Sequence, residues 1–194
     1  MIARLVGSEM CIRDSFYVMG FMTVTFASFV YPIYFDDRYM ADRVSLSMFW
    51  VYILAIPFYL FFNVRVTGDY IPLMETVAYD LTPEIHKWFT RIDPFTNGMP
   101  SLHIGLPFAI WLTMTRWDED GRWMKFRRFL VAFIALTAFS IIYLGIHWAI
   151  DIIGGMLVAI ASVAVTERTH KGIWTVADER LFTRKLARLI DDPK

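Results

Sequence analysis

The sequence predicts an all-α protein that crosses a membrane as a polytopic helix bundle. Hydrophobic residues make up 57% of the 194 residues and charged residues 20%. A soluble domain holds roughly 45–50% apolar and about 25% charged residues. The apolar residues gather in five runs, and the basic residues gather in alternate connections between them. Soluble cores rarely hold so many apolar runs in a chain of this length, so the pattern favours a membrane protein.

Five runs are candidates for transmembrane helices because each consists almost wholly of apolar residues. They are Phe16–Phe35, Val44–Val64, Leu102–Thr115, Phe129–Ile146 and Ala149–Thr166. The third run is shorter and contains Gly105 and Pro107. The fifth carries one charged residue, Asp151, in its first turn.

Two amphipathic helices are predicted at the membrane surface. The first is short and begins at Thr82-Pro83-Glu84, since proline is favoured at the first helical position. Ile85, Trp88 and Phe89 then share its apolar face. The second is a basic helix in the C-terminal tail. Its apolar side consists of Leu181, Phe182, Leu186, Leu189 and Ile190.

The basic residues predict how the helices are oriented, because Lys and Arg are enriched in cytoplasmic loops. The 116–128 connection contains five Lys or Arg residues and the 167–194 tail contains seven. The 147–151 connection contains none, and the long 65–100 segment contains only three. We therefore expect the first two segments in the cytoplasm and the other two outside it. The expected location is the plasma (inner) membrane, with the polar segments 98–103 and 140–151 at the outer face.

The N-terminal residues do not fit this pattern. Residues 1–15 resemble neither a span nor a signal peptide, and Val6–Ser15 resembles a translated sequencing-library adapter. Five spans would also leave Arg4 and Arg13 outside the cytoplasm, which is disfavoured. We expect residues 1–15 to be non-native, 16–166 to form the membrane domain and 167–194 to form a cytoplasmic tail. One further helix upstream would give six spans.

Two groups of polar residues at the ends of apolar runs are the candidates for function. They are Gly98–His103 and Ser140–Asp151. Polar side chains at membrane boundaries are costly to bury, which favours a functional role. His147 and Asp151 are four residues apart, so a helix would make them neighbours. The carboxylate would then hold the imidazole in one tautomer.

The start of the third run predicts a binding site for an anion. Pro100 and Ser101 at the beginning of a helix would present backbone N–H groups to a phosphate. Other interpretations stay open at this stage. Ser101 and Asp151 could cap their helices, and His147 could anchor the chain at the interface. His103, His147 and Asp151 could also bind zinc, although their spacing matches no zinc motif.

The two groups resemble signature motifs of the type 2 phosphatidic acid phosphatase superfamily. The motifs are Pro100-Ser101-Leu102-His103 and Ser140-x6-His147-x3-Asp151. The form PSLH, together with Tyr-Leu-Gly-Ile-His-Trp before the aspartate, resembles the branch that includes inositol phosphorylceramide synthases. The resemblance extends from about Gly98 to Thr166.

The resemblance implies a role for each motif residue. His147 would be the nucleophile that attacks phosphorus and becomes a phosphohistidine, and Asp151 would accept a hydrogen bond from its other ring nitrogen. His103 would be the general acid that protonates the leaving alkoxide. Ser101 and nearby backbone amides would bind phosphate oxygens. The resemblance implies neither a metal nor a cofactor.

The sequence departs from the family pattern where phosphate charge would be neutralised. Ile141 stands where many members have an arginine, and the family's first motif, with its lysine and arginine, is not present as such. The phosphate still requires positive charge. Among the predicted outer cations Arg65, Lys87 and Arg91, we expect Arg91 and Lys87 to bind phosphate. Contact with lipid headgroups is the alternative for both.

The predicted function is that of a membrane phosphoesterase acting on lipid phosphates through a phosphohistidine. One alternative is a phosphotransferase that moves a phospho-headgroup to inositol or a lipid hydroxyl. A second alternative is a non-catalytic membrane protein on the same scaffold. Membrane lipids are the expected partners. Nucleic acid is not expected, because the chain has zero net charge and offers no basic face. No oligomeric state is predicted.

The predicted orientation can be tested with single cysteines at Asn97 and Glu119 in a Cys11→Ser background. An impermeant thiol reagent on intact cells should label the cysteine at 97, because that position lies in an outer segment. It should leave the cysteine at 119 unlabelled. The opposite labelling pattern would overturn the orientation.

Overall fold

A computed structural model of the protein describes residues 20–62, 64, 98–143 and 145–177, with side chains described as far as residue 173. This part of the chain forms five helices, which confirms the all-α prediction. The helices are α1 Phe21–Tyr34, α2 Arg38–Phe61, α3 Leu102–Trp117, α4 Met124–Tyr143 and α5 Ala149–Ala177. The adapter-like segment, the amphipathic helix near residue 85 and the tail helix near residue 186 lie outside the described residues.

Each helix corresponds to one predicted span, with shifted ends. Helix α2 begins at Arg38, because the Asp37 side chain accepts a hydrogen bond from the Met40 N–H at 3.0 Å and caps the helix. Helix α5 continues past Thr166 to Ala177. The predicted boundary between domain and tail at residue 166 therefore falls inside a helix, and the division into domains stays a prediction.

The helices form a membrane bundle. Three stretches are long and apolar enough to cross a membrane: Arg38–Phe61, Met124–Tyr143 and Ala149–Ile173. Helices α1 and α3 are shorter, with 14 and 16 residues. Large apolar side chains are exposed on the outside of the bundle, where water would be an unfavourable neighbour and lipid a favourable one. Examples are Phe26, Leu60, Phe61, Phe139 and Leu157.

Helices α2, α3 and α5 pack against one another at the centre of the bundle. Helix α4 packs on α3, and α1 packs on α2 and α3. Small polar side chains contact one another between the central helices, in addition to the apolar contacts there. The Thr113 hydroxyl lies 2.9 Å from the Ser47 hydroxyl, and both side chains are fully buried. Such small residues allow helices to approach closely within a membrane.

The closest approach is between α3 and α5, and glycines make it possible. A Cβ atom on Gly155 of α5 would overlap the carbonyl oxygen of Ser101. A Cβ atom on Gly105 of α3 would lie only 3.2 Å from the Gly155 carbonyl oxygen. The absence of side chains at these two positions brings the start of α3 against the first turns of α5.

The bundle has two chemically different ends. At the basic end, formed by residues 34–43, 116–128 and 167–171, the Trp123 indole N–H donates to Asp37 at 2.7 Å. At the motif end, formed by the end of α2 with residues 98–103 and 145–151, the Ser101 N–H donates to the Asp151 carbonyl at 3.1 Å. Every Lys and Arg of the described residues lies at the basic end. The loop charges predicted this separation of the basic residues from the motifs. Which end faces the cytoplasm stays a prediction.

The packing of α3 on α5 predicts opposite effects for two glycines of one helix. Gly155→Ala should destabilise the protein by about 1–3 kcal/mol, because the new methyl group collides with a backbone oxygen. Gly172→Ala is the matched control: no atom lies within 4 Å of its added Cβ, and alanine favours the helix by about 1 kcal/mol. Thermal unfolding in detergent measures both. Equal melting temperatures for the two variants would contradict the close approach.

Candidate active site

The turn after α4 places His147. Gly145 has a φ of 68°, a left-handed conformation that favours glycine. The Ile146 N–H donates to the Ile141 carbonyl and the Gly145 N–H to the Ile142 carbonyl, both at 3.1 Å. These two bonds form a Schellman motif, which ends the helix and fixes the direction of the chain. The next side chain, His147, is thereby directed into the bundle, where only 6% of it is exposed.

The Asp151 carboxylate caps helix α5 and also lies beside His147 at the candidate site. Its Oδ2 accepts a hydrogen bond from the Trp148 N–H at 2.8 Å, which caps the start of α5. The same oxygen lies 3.4 Å from Nδ1 of His147. That distance is long for a hydrogen bond, so the carboxylate lies beside the imidazole without a regular hydrogen bond to it. One fully buried carboxylate thus serves both as the cap and as the neighbour of the histidine.

His103 faces His147 across the boundary between α3 and α5. Its Nδ1 lies 3.4 Å from Nε2 of His147, and the two ring centroids are 5.6 Å apart. Phe21 of α1 also packs against the His103 ring, with ring centroids 4.7 Å apart. The structure therefore brings Asp151, His147 and His103 into one row, with the two nitrogens of His147 pointing in opposite directions.

This row has a consequence for the tautomer of His147. A proton on Nδ1 would face the carboxylate, which favours it there, and Nε2 would then carry a lone pair toward His103.

The row also bears on the zinc alternative. One metal ion cannot be bound by all three side chains when the middle imidazole directs its two nitrogens to opposite partners. Within the described ranges, no group of three His, Cys, Asp or Glu side chains is arranged to hold a metal.

Ser101 occupies the position before α3 but does not cap that helix. Its hydroxyl makes no cap hydrogen bond, is fully buried, and has no hydrogen-bond partner among the described residues. Its backbone N–H is already donated to Asp151. The Ser101 N–H is therefore not free for a phosphate, and phosphate binding by other N–H groups at the start of α3 stays a prediction. Helix α3 begins one residue later, at Leu102.

Among the described residues, no Lys or Arg side chain that could neutralise a phosphate lies at the motif end. Ile141, at the position of the family's arginine, is fully buried and its carbonyl accepts the Ile146 and His147 N–H groups. Lys87 and Arg91, the predicted phosphate-binding cations, lie outside the described residues, as does Arg65. Their roles stay predictions.

Sequence reasoning missed a residue outside both motifs that is hydrogen-bonded to one of them. Tyr59, near the end of α2, donates from its hydroxyl to the Pro100 carbonyl at 2.7 Å. Tyr59 gave no signal in the sequence, because it is one of many aromatic residues in an apolar run. The two adjacent glycines Gly154 and Gly155 did carry a signal, since paired small residues favour close helix packing.

Comparison with known proteins identifies the family of the chain. The family model of the PAP2 superfamily, the type 2 phosphatidic acid phosphatase superfamily, matches residues 10–165 and so includes both motifs. No curated protein and no solved structure matches the chain. Since the matched region covers most of the 194 residues, the chain belongs to the PAP2 superfamily.

Proposed function

We propose that the protein is a membrane phosphoesterase that hydrolyses lipid phosphates through a phosphohistidine at His147. The observation that supports this most directly is the row of Asp151, His147 and His103. It combines a nucleophile, a carboxylate beside one ring nitrogen and a second imidazole at the other. Membership of the PAP2 superfamily supports a phosphoester as the bond that is cleaved.

In the proposed reaction, Nε2 of His147 attacks phosphorus, and a nitrogen–phosphorus bond forms as the phosphorus–oxygen ester bond breaks. His103 donates a proton to the departing alkoxide. In the second half, His103 takes a proton from water, which attacks the phosphohistidine and releases phosphate. Dividing one difficult displacement into two steps lowers the barrier of each. Asp151 stabilises the imidazole of His147 while it carries positive charge.

Substrate binding requires the two histidines to separate. Their facing nitrogens are 3.4 Å apart, a distance that leaves no room for a phosphorus atom and its oxygens between them. The His147 imidazole is held between its backbone turn and Asp151. His103 sits in the first turn of α3, against a Phe21 ring from a different helix. We therefore propose that the His103 ring turns aside to admit the phosphate and protonates the leaving oxygen from its new position.

The Ser101 hydroxyl is proposed to bind a phosphate oxygen. A buried hydroxyl without a partner costs about 1–3 kcal/mol, and a phosphate oxygen could accept the hydrogen bond that the described protein residues do not. The first-turn amides of α3 would add donors. Arg91 and Lys87 are proposed to supply the positive charge.

The surroundings of the motif end support a lipid as the substrate. Leu60, Phe61 and Phe62 at the end of α2, Tyr143 at the end of α4 and Ile150 at the start of α5 are all exposed large apolar side chains. Acyl chains in the bilayer could reach the site along these surfaces. The proposed location is the plasma (inner) membrane, with the site at the outer face.

Phosphotransfer to inositol or to a lipid hydroxyl is the second candidate. It is favoured by the PSLH and Tyr-Leu-Gly-Ile-His-Trp forms of the motifs, which resemble the branch that includes inositol phosphorylceramide synthases. Purified protein incubated with lipid phosphates and phospholipids, with and without polyol acceptors, separates the candidates. Hydrolysis releases phosphate without an acceptor, and transfer yields a new phospholipid only with one. Neither product would favour the non-catalytic alternative.

Substituting the two histidines should have different effects. His147→Gln should lower turnover by at least about 10³-fold with every substrate, because the nucleophile is lost. His103→Gln should lower turnover of an alkyl phosphate by about 10²-fold or more. It should affect p-nitrophenyl phosphate less, because nitrophenolate departs without a proton. His170→Gln at the basic end is the control and should leave both rates unchanged. Normal turnover in His147→Gln would contradict the assignment.

Two variants of Asp151 should distinguish its role as a helix cap from its role beside His147. Asp151→Asn keeps an oxygen that can accept the Trp148 N–H, so its free energy of unfolding should stay near that of the wild type. Asp151→Ala loses the cap and should be about 1 kcal/mol less stable. Turnover should fall strongly in both, since neither places a negative charge beside His147. Wild-type turnover in a stable Asp151→Asn protein would show that the carboxylate is only a cap.

A further inference from the structure

Tyr59 belongs to neither motif, but its phenol is hydrogen-bonded to the Pro100–His103 motif. Tyr59 lies in the last turn of α2, and its hydroxyl donates to the carbonyl oxygen of Pro100 at 2.7 Å. The bond spans 41 residues of sequence. It joins a helix that carries no motif residue to the segment that leads into α3.

The same peptide group is held on its other side. The Ser101 N–H, which belongs to the peptide bond whose carbonyl is that of Pro100, donates to the Asp151 carbonyl at 3.1 Å. The Pro100–Ser101 peptide is therefore fixed between α2 and α5, with one hydrogen bond at each end of its dipole. A peptide plane held at both its C=O and its N–H cannot rotate without breaking one of these bonds.

The direction of this peptide determines where α3 begins and where its first side chains point. Ser101 is the residue before the helix, and His103 follows two positions later in the first turn. The Ser101 carbonyl accepts the Gly105 N–H at 2.9 Å, so a rotation at Ser101 is passed directly into the first turn. Gly155 leaves no space on the α5 side for the segment to shift.

We propose that Tyr59 is a positioning residue for the reaction, which through the Pro100 carbonyl sets the place of His103 relative to His147. The inference rests on the proposed function, because it concerns the general acid of that reaction. Tyr59 acts through its hydrogen bond to the Pro100 carbonyl. Loss of its hydroxyl lets the Pro100–Ser101 peptide turn and moves His103 away from the leaving oxygen.

A misplaced general acid produces a specific kinetic pattern. Protonation matters most when the leaving group is a strongly basic alkoxide and least when it is a weakly basic phenolate. Displacement by about 1 Å can cost up to about 10²-fold in rate. Tyr59→Phe should therefore lower kcat for decyl phosphate by roughly tenfold or more and kcat for p-nitrophenyl phosphate by much less. KM should change little for either substrate. General loosening of the fold would lower both rates together.

The experiment compares full-length wild type, Tyr59→Phe and Tyr52→Phe with both substrates in detergent. Tyr52 is the matched control, because it lies on the same helix with 47% of its surface exposed. Its variant should match the wild type in both rates. The melting temperature of each protein is measured alongside.

The expected result is a selective loss with decyl phosphate in Tyr59→Phe at an unchanged melting temperature. Equal rates in Tyr59→Phe and wild type, or an equal loss with both substrates, would overturn the role of Tyr59 and leave the proposed function standing. A wild-type protein that cleaves neither substrate would instead overturn the proposed function. If Tyr59→Phe does not fold, Tyr59→His, which keeps a ring and a donor, should show the same selective loss in a milder form.

Discussion

The contact between the start of α3 and the first turns of α5 is the constraint on which the site depends. Each helix carries part of one motif, and neither motif alone brings two imidazoles together. Gly105 and Gly155 allow the backbones to meet, and the Ser101 N–H bonds directly to the Asp151 carbonyl. This backbone contact sets the distance between His103 and His147, because both side chains lie within a few residues of it.

Charge is distributed along the bundle in a way that suits a membrane enzyme. In the part of the chain that the structure describes, Lys and Arg lie at the basic end. There Arg43 is buried against the Tyr39 ring. Its Nη2 lies 3.3 Å from Nε2 of His170 in α5. Among the described residues, the motif end has a single buried carboxylate beside two histidines. Under the proposed function, a phosphate at this end would require hydrogen-bond donors and positive charge, for which Lys87 and Arg91 are the proposed sources.

Sequence reasoning predicted the coarse fold and the central residues of the candidate site. Apolar runs located all five helices because the bilayer imposes a strong constraint on composition. Loop charges predicted that the two motifs share one end. Reasoning from residue types did not find the backbone bond that occupies the Ser101 N–H, since backbone partners depend on how helices pack. It also did not find Tyr59, because an aromatic side chain in an apolar run fits lipid contact and a specific hydrogen bond equally well.

The central claim is that His147 receives the phosphoryl group within a row that includes Asp151 and His103. Rapid quenching in base during turnover of a labelled lipid phosphate, followed by proteolysis and mass spectrometry at neutral pH, locates any acid-labile phosphoryl group. Phosphate is expected on the peptide that contains His147 and on no other. Phosphate on the His103 peptide would contradict the assignment of the nucleophile. Efficient turnover with no phosphorylated peptide would contradict the covalent mechanism itself.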